Sequence, residues 1–249
     1  MFLIGDIGNT DTKVCIINSN YKIIKKIVFS TKKVTSFSLK KKLKIIVKKK
    51  FLIRKSLFCS VVPKKYNLIK NLLFKNFNIK TFELKNLNLK KIIKIKVNKK
   101  QVGSDRLSNS IALISKKKNF IIVDFGTATT FDVVVNNEYI GGIIAPGVNL
   151  SLTTLINKAT LIPKVNLKKT NNVIGKNTVN AVRSGFFWGY EGLVNNIIDL
   201  IKKETKKRFK IIYTGGFSDL FAKSYSSKII VDKDITIKGL IKVAKLSSF

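Results

Sequence analysis

The chain has 249 residues, 49 Lys and Arg against 13 Asp and Glu, and no His, for a formal net charge of +36. Without an imidazole there is no Ser-His-Asp or Cys-His nucleophile pair and no His-ligated metal, so acid–base work falls to carboxylates, Lys or Tyr. The only cysteines, Cys15 and Cys59, are too few and too far apart for a zinc ribbon or a disulfide framework, and in their apolar runs they read as buried, reduced thiols.

A 45% hydrophobic share argues for a folded chain, and this length suits one large or two small α/β domains. FLIGDIGN (residues 2–9) reads as a buried strand running into a Gly turn, and KVCIINSN and KIIKKIVFS as the next two strands. Residues 36–51 carry apolar residues at helical spacing, with Ser36 as the expected cap. SLFCSVVP is a strand stopped by Pro63, residues 64–77 a helix and TFEL a short strand. Residues 84–100 are rich in Lys, Asn and Ile and give no clear element. A helix is expected over 104–118, capped by Ser104.

NFIIVDFG then opens a second unit on the pattern of the first: an apolar strand, an Asp, a Gly and a Thr. The strands TTFDVVV and EYIGGIIAPG follow, then helices near 147–158 and 178–204. KIIYTGGF is a further strand with a Gly turn, followed by a helix near 217–225, the strand KIIVD and a last helix near 235–247. Strands alternating with helices indicate α/β architecture, and the echo of GDIGNT by DFGTAT indicates a duplicated domain. The expected halves are 1–117 and 118–249. No segment approaches the roughly 18 uncharged apolar residues of a membrane span. The N-terminal residues lack the basic start of a signal peptide. A soluble cytoplasmic protein is the expectation.

Charge is uneven. Residues 21–100 hold 26 basic residues and a single acid, Glu83. Only Arg54, Arg106, Arg183 and Arg208 are Arg, the residue suited to bidentate phosphate and base contacts. The surplus is Lys in a chain crowded with Ile, Asn and Phe, and reads as a solvated surface more than a nucleic-acid face. The scarce acids carry more information. Asp6 and Asp124 each end an apolar strand, where an ionised group is costly unless it is hydrogen-bonded, paired or bound to a metal. Glycines after a strand let backbone approach a phosphate, and a carboxylate beside such a cradle suits Mg²⁺. The alternative is two ordinary turns with Asp capping them. There is neither a P-loop nor a dinucleotide fingerprint. In GSDR, Asp105 suits a general base and Arg106 an anion anchor, while a plain helix N-terminus explains the same residues equally well. TGG (residues 214–216) offers bare backbone to a purine or ribose, and GGIIAPG (residues 141–147) reads as architecture.

Taken in order, DIGNT, VGSDR, DFGTATTFD, GGIIAPG, GKNTVNAVRSGFFWGY and TGG resemble the type III pantothenate kinase family, within the acetate-and-sugar-kinase, heat-shock chaperone and actin superfamily. The resemblance is weak across residues 20–100. It implies two ribonuclease-H-like domains with ATP and pantothenate in the cleft between them, and a homodimer. It also implies roles by position. Asp6, Ile7, Gly8, Asn9, Thr10, Asp11, Thr12 and Lys13 match the first phosphate loop, with Asp6 near Mg²⁺, and Thr127 matches a second ATP contact. Asp124 matches the ligand of a monovalent cation, K⁺ or NH₄⁺. Asp105 matches the base that deprotonates pantothenate, and Gly103, Ser104, Asp105, Arg106 and Thr178 match substrate contacts. One departure stands out: where the family has a Tyr ahead of its VGxDR run, aligning Asn98 puts Lys96 at that position. Two other functions remain open, a kinase of the same fold acting on another small alcohol and a kinase-derived regulator that binds nucleic acid.

Overall fold

The structure is a computed structural model that describes residues 1–33, 35–47, 53, 55–114, 118–222 and 229–247. By contacts the chain falls into two units, one of residues 1–114, 137–140 and 234–249 and one of residues 115–136 and 141–233. The boundary expected at 117/118 abuts residues 115–117, which lie outside the described residues.

In the first unit β1 (Phe2–Ile7), β2 (Asp11–Ile17) and β3 (Ile23–Ser30) form an antiparallel meander. β4 (Lys55–Ser60) then pairs parallel to β1, and β5 (Lys80–Glu83) parallel to β4, giving the order β3-β2-β1-β4-β5. The central strand β1 is apolar and buried along most of its length, as a strand covered on both faces must be. The edge strand β3 instead alternates exposed and half-buried residues, and its Lys25 and Lys26 discourage pairing with another chain.

Helix α1 (Ser36–Ile46) is capped by Thr35 rather than Ser36. Thr35 Oγ1 accepts from the Ser38 amide and the Ser38 hydroxyl accepts from the Thr35 amide, so the cap is reciprocal. The stretch expected to extend this helix to residue 51 is described only as far as the C-cap Val47. Helix α2 (Pro63–Phe77) starts on a proline, whose missing N–H is no loss at that position, and stops at Asn78 in the left-handed region. Leu39, Leu43 and Leu73 from these helices pack with Leu3, Val14, Ile16 and Phe58 of the sheet.

Helix α3 (Ser104–Ala112) is shorter than the expected 104–118, and its N-cap is Gly103, with Ser104 the first helical residue. Its C-terminal end is met by Lys242, whose Nζ donates to the carbonyls of Ala112 and Ile114 at 3.5 and 3.1 Å. Lys242 sits on α7 (Ile235–Leu246), which follows the second unit in sequence yet packs in the first. The α3–α7 contact is close. A Cβ on Gly239 would overlap the Ser108 backbone, Ser108 Oγ donates to the Thr236 carbonyl at 2.7 Å, and Thr236 Oγ1 donates to Asn109 Oδ1 at 2.8 Å. The indeterminate residues 84–100 form a 3₁₀ turn at Leu84–Asn86, the two-residue strand β6 (Lys94–Ile95) and the start of a second 3₁₀ turn at Lys99–Gln101. β6 pairs parallel with Glu138 and Tyr139.

The second unit repeats the plan. β7 (Phe120–Phe125) pairs antiparallel with β8 (Ala128–Val135), β9 (Glu138–Pro146) follows with residues 138–140 counted in the first unit, and β10 (Lys210–Gly215) and β11 (Ile229–Val231) add in parallel, giving β11-β10-β7-β8-β9 with β6 at the end beyond β9. Asn136 and Asn137 take positive φ at the β8–β9 hairpin, as a tight primed turn requires. Its helices are α4 (Val148–Lys158), α5 (Thr178–Thr205) and α6 (Ser218–Ala222), and residues 223–228 of the helix and strand expected there lie outside the described residues. The order of both sheets and the parallel return after an antiparallel meander are those of a duplicated ribonuclease-H-like α/β fold. Among the described residues no helix is long and apolar enough to cross a membrane.

Because α7 holds α3 through close backbone approach, Gly239→Ala is expected to destabilise the protein by about 1–3 kcal/mol in denaturant unfolding, a cost set by overpacking. Thr35→Ala removes a reciprocal cap and is expected to cost about 1 kcal/mol in the same measurement.

Candidate active site

In the first unit β1 delivers Asp6 to the end of the sheet. Asp6 lies opposite Lys13 across β2 and beside Cys59 across β4. Cys59 Sγ donates to Asp6 Oδ1 at 3.4 Å, and burial pushes the Cys59 thiol well above its ordinary range, so it remains a protonated donor. Asp6 itself is pushed up from 3.8 to about 6. Burial is the main cause, the nearby charge of Asp105 adds to it, and Lys13 and Cys59 oppose it. The turn after β1 is closed by the Gly8 amide on the Asp11 carbonyl at 3.0 Å. The Thr31 amide holds the Thr10 carbonyl at 2.8 Å, and the buried Thr12 and Thr31 hydroxyls meet at 2.8 Å. Asn9, Thr10 and Asp11 are exposed, while Ile7 and Thr12 are buried in the scaffold.

Asp105 lies in the first turn of α3, half-buried, and its Oδ1 accepts from the Arg106 amide at 2.8 Å. Burial raises its pKa against the pull of that amide and of the Arg106 and Lys85 charges. The Asp105 carboxylate complements the N-terminus of α3 and lies within the field of Asp6. Ser104 does not cap the helix; its hydroxyl donates to Glu83 Oε1 at 2.5 Å. Glu83 is a site residue that motif reasoning passed over. The available signal was its isolation as the one acid among residues 21–100. Lys96, at the position of the family's Tyr, pairs with Glu138 at 3.6 Å, and Lys94 pairs with the same carboxylate at 3.0 Å.

In the second unit β7 delivers Asp124 in the manner of Asp6. Gly215, at φ +86°, lies against it so closely that a Cβ would overlap Asp124 Oδ1 and the Phe125 carbonyl. TGG thus supplies bare backbone beside a carboxylate. Gly147 packs on the carbonyls of Gly126 and Thr127, where a side chain has no room, so the GGIIAPG turn is the floor of the Thr127 loop. Thr127 is exposed at that loop. Thr178 is exposed at the first residue of α5, whose N-cap Asn177 accepts from the Asn180 amide at 2.9 Å.

Asp6, Lys13, Asp105 and Arg106 are thus gathered in the first unit, and Asp124 and Thr127 in the second. Among the described residues no group of three or more Asp, Glu, Cys or His side chains is arranged to hold a metal unaided. That donor set fits Mg²⁺, which takes one or two carboxylates and completes its shell with water and substrate phosphates.

The raised Asp6 pKa has a stability consequence. A carboxyl that titrates at 3.8 unfolded and at about 6 folded contributes stability that is complete below pH 4 and lost as pH rises through 6. Asp6→Asn is therefore expected to stabilise the metal-free protein by roughly 1–2 kcal/mol at pH 7, allowing for partial solvent access, and by nothing at pH 4. Thermal melts of the two proteins across that range measure the difference.

A family model for type III pantothenate kinases matches residues 2–200. A type III pantothenate kinase of Pelagibacter ubique (strain HTCC1062) is 61% identical over 246 residues, covering 99% of each chain. Among solved structures, a Baf-family protein from Campylobacter jejuni superposes with a TM-score of 0.63 at 18% identity over 98% of both chains. A ROK family glucokinase from Streptomyces griseus, in complex with glucose and AMPPNP, gives 0.55 at 9% identity over 98% of this chain and 99% of its own. At such identities the two structures speak for the fold, and the sequence matches speak for the family. Matched by the family model over residues 2–200 and 61% identical to one member along nearly its whole length, the chain belongs to the type III pantothenate kinase family.

Proposed function

We propose that the protein transfers the γ-phosphoryl group of ATP to the primary hydroxyl of pantothenate, giving 4′-phosphopantothenate and ADP, the first step of coenzyme A biosynthesis. The observation that carries this is 61% identity to a pantothenate kinase over nearly the whole chain, with the Asp105 carboxylate held at the start of α3 by the Arg106 amide.

Asp105 is the base. Its carboxylate is fixed by backbone amides, that of Arg106 at 2.8 Å among them, and takes the proton of the acceptor hydroxyl. Burial raises its proton affinity toward that needed to take the hydroxyl proton as the oxygen–phosphorus bond forms and the bond to ADP breaks. Gly103, Ser104 and Arg106 line the acceptor, with Arg106 placed to anchor an anionic substrate group, and Thr178 is a further contact. Asn9, Thr10 and Lys13 receive phosphates from the first loop, and Thr127 from the second. Asp6 is the protein ligand for Mg²⁺, which supplies charge neutralisation of the triphosphate when bound. Asp124, on which Gly215 packs, is the ligand for K⁺ or NH₄⁺. ATP as donor and two buried free thiols fit a cytoplasmic enzyme.

A homodimer is part of this reading, and the second unit offers a face for it. No Lys or Arg occurs between Lys118 and Lys158 in a chain of charge +36. Two such chains repel unless they meet where Lys is absent. Exposed Ile144, Leu150 and Leu155 lie in that interval. On α5, Gly185, Gly189 and Gly192 share one exposed face, with nothing within 4 Å of where a Cβ would stand. Light scattering is expected to give a dimer for the wild type and a monomer for Leu150→Lys.

Purified protein is expected to phosphorylate pantothenate with MgATP and to lose most of that activity when K⁺ and NH₄⁺ are left out. Failure to phosphorylate pantothenate while other small alcohols are accepted would reassign the acceptor. Asp105→Asn is expected to lower turnover by about 10²–10⁴-fold with the melting temperature retained. Near-normal turnover would leave Asp105 as a helix-terminus residue alone.

A further inference from the structure

The twenty residues between β5 and α3 contain only two 3₁₀ turns and a two-residue strand, yet they end at the substrate loop and at Asp105. A segment of that length without regular structure is entropically costly to hold in one conformation. Three side-chain hydrogen bonds tie its beginning to its end. Ser104 Oγ donates to Glu83 Oε1 at 2.5 Å. Lys85 Nζ donates to the Lys100 carbonyl at 2.6 Å. Lys99 Nζ donates to the Leu87 carbonyl at 2.8 Å. Glu83 and Lys85 thus reach forward and Lys99 reaches back, so residues 83–87 and 99–104 are stapled side by side.

The middle of the segment is held separately, by Lys94 and Lys96 on Glu138 and by β6 on the start of β9. At the start of α3 the Ser104 hydroxyl donates to Glu83 and the Arg106 amide donates to the Asp105 carboxylate.

We propose that Glu83 and Lys85 are positioning residues for phosphoryl transfer: they clamp the segment 99–104 so that the acceptor-binding backbone at Gly103 and the carboxylate of Asp105 are presented in one fixed geometry. The proposal rests on the kinase reading above. It extends that reading to two residues that touch neither ATP nor the reacting hydroxyl. The clamp acts on the acceptor side only. The first phosphate loop hangs on the β1–β2 pair, and none of the three ties reaches it.

The test is steady-state kinetics on Glu83→Ala, Glu83→Gln, Lys85→Ala and Lys85→Arg, with pantothenate and ATP varied in turn and a melting curve for each. The clamp predicts that both alanine variants raise KM for pantothenate and lower kcat by about tenfold or more, the scale on which a slightly misplaced reacting group is felt, while KM for ATP stays within twofold. It predicts that Glu83→Gln, which still accepts from Ser104, and Lys85→Arg, which still donates to the Lys100 carbonyl, recover to within about threefold of wild type. A fall in kcat with both KM values unchanged and no recovery in the conservative variants would mark a merely structural role and overturn the proposal. So would wild-type kinetics throughout. Should the alanine variants not fold, the comparison of Glu83→Gln and Lys85→Arg with Lys99→Ala, which removes the third tie, stands in: the clamp expects the first two near wild type and the third raised in KM for pantothenate and lowered in kcat with KM for ATP unchanged, and equal pantothenate kinetics in all three contradict it. A wild-type protein inactive on pantothenate is a different failure, that of the kinase reading itself, and takes the clamp with it.

Discussion

The first unit is organised around two carboxylates kept partly out of water. Asp6 ends the central strand and Asp105 begins a helix, and each raises the cost of ionising in that place. Such an arrangement persists only if the scaffold over-determines it. Here the scaffold is explicit. β1 is locked between β2 and β4, and α3 is fixed by the backbone approach of Gly239 and by the Ser108, Asn109 and Thr236 hydrogen bonds from α7. In the kinase proposed here, the protein spends folding stability to hold negative charge where a magnesium–nucleotide complex and an acceptor hydroxyl make use of it.

This constraint reorders what the net charge means. A surplus of 36 positive charges invites a polyanion partner. Yet the candidate site acids sit at strand ends and Gly turns, and the Lys-dense residues 84–100 are held by Lys85 and Lys99 donating to carbonyls and by Lys94 and Lys96 pairing with one acid, Glu138. Part of the surplus is therefore structural. Lys85, Lys99 and Lys242 each satisfy carbonyls outside regular structure, a task indifferent to any anionic ligand.

The motifs were legible because strand-end Asp with following Gly and Thr is a local pattern, and its repetition exposed the duplication that the two sheet orders then display. The strands of both units were readable from apolar runs for the same reason. Cap positions were not: Thr35 and Gly103 displaced Ser36 and Ser104, because a hydroxyl goes to the best partner in space, and for Ser104 that partner is Glu83, 21 residues away. The length of α3 was misjudged where Lys242, far off in sequence, meets its last carbonyls. Glu83 itself carried no motif. Its role depends on pairing between segments that only the folded chain brings together. Gly147 and Gly215 read as turn formers, and it took the structure to reveal them as the surfaces on which the Thr127 loop and Asp124 rest.

In the proposed kinase Asp6 serves the nucleotide and its metal and Asp105 serves the acceptor. Calorimetric titration of MgATP into Asp6→Asn and Asp105→Asn separates the two roles. Asp105→Asn is expected to bind MgATP as the wild type does, while Asp6→Asn loses the magnesium-dependent part of the affinity. Equal loss in both variants, or loss in Asp105→Asn alone, would rule this division out.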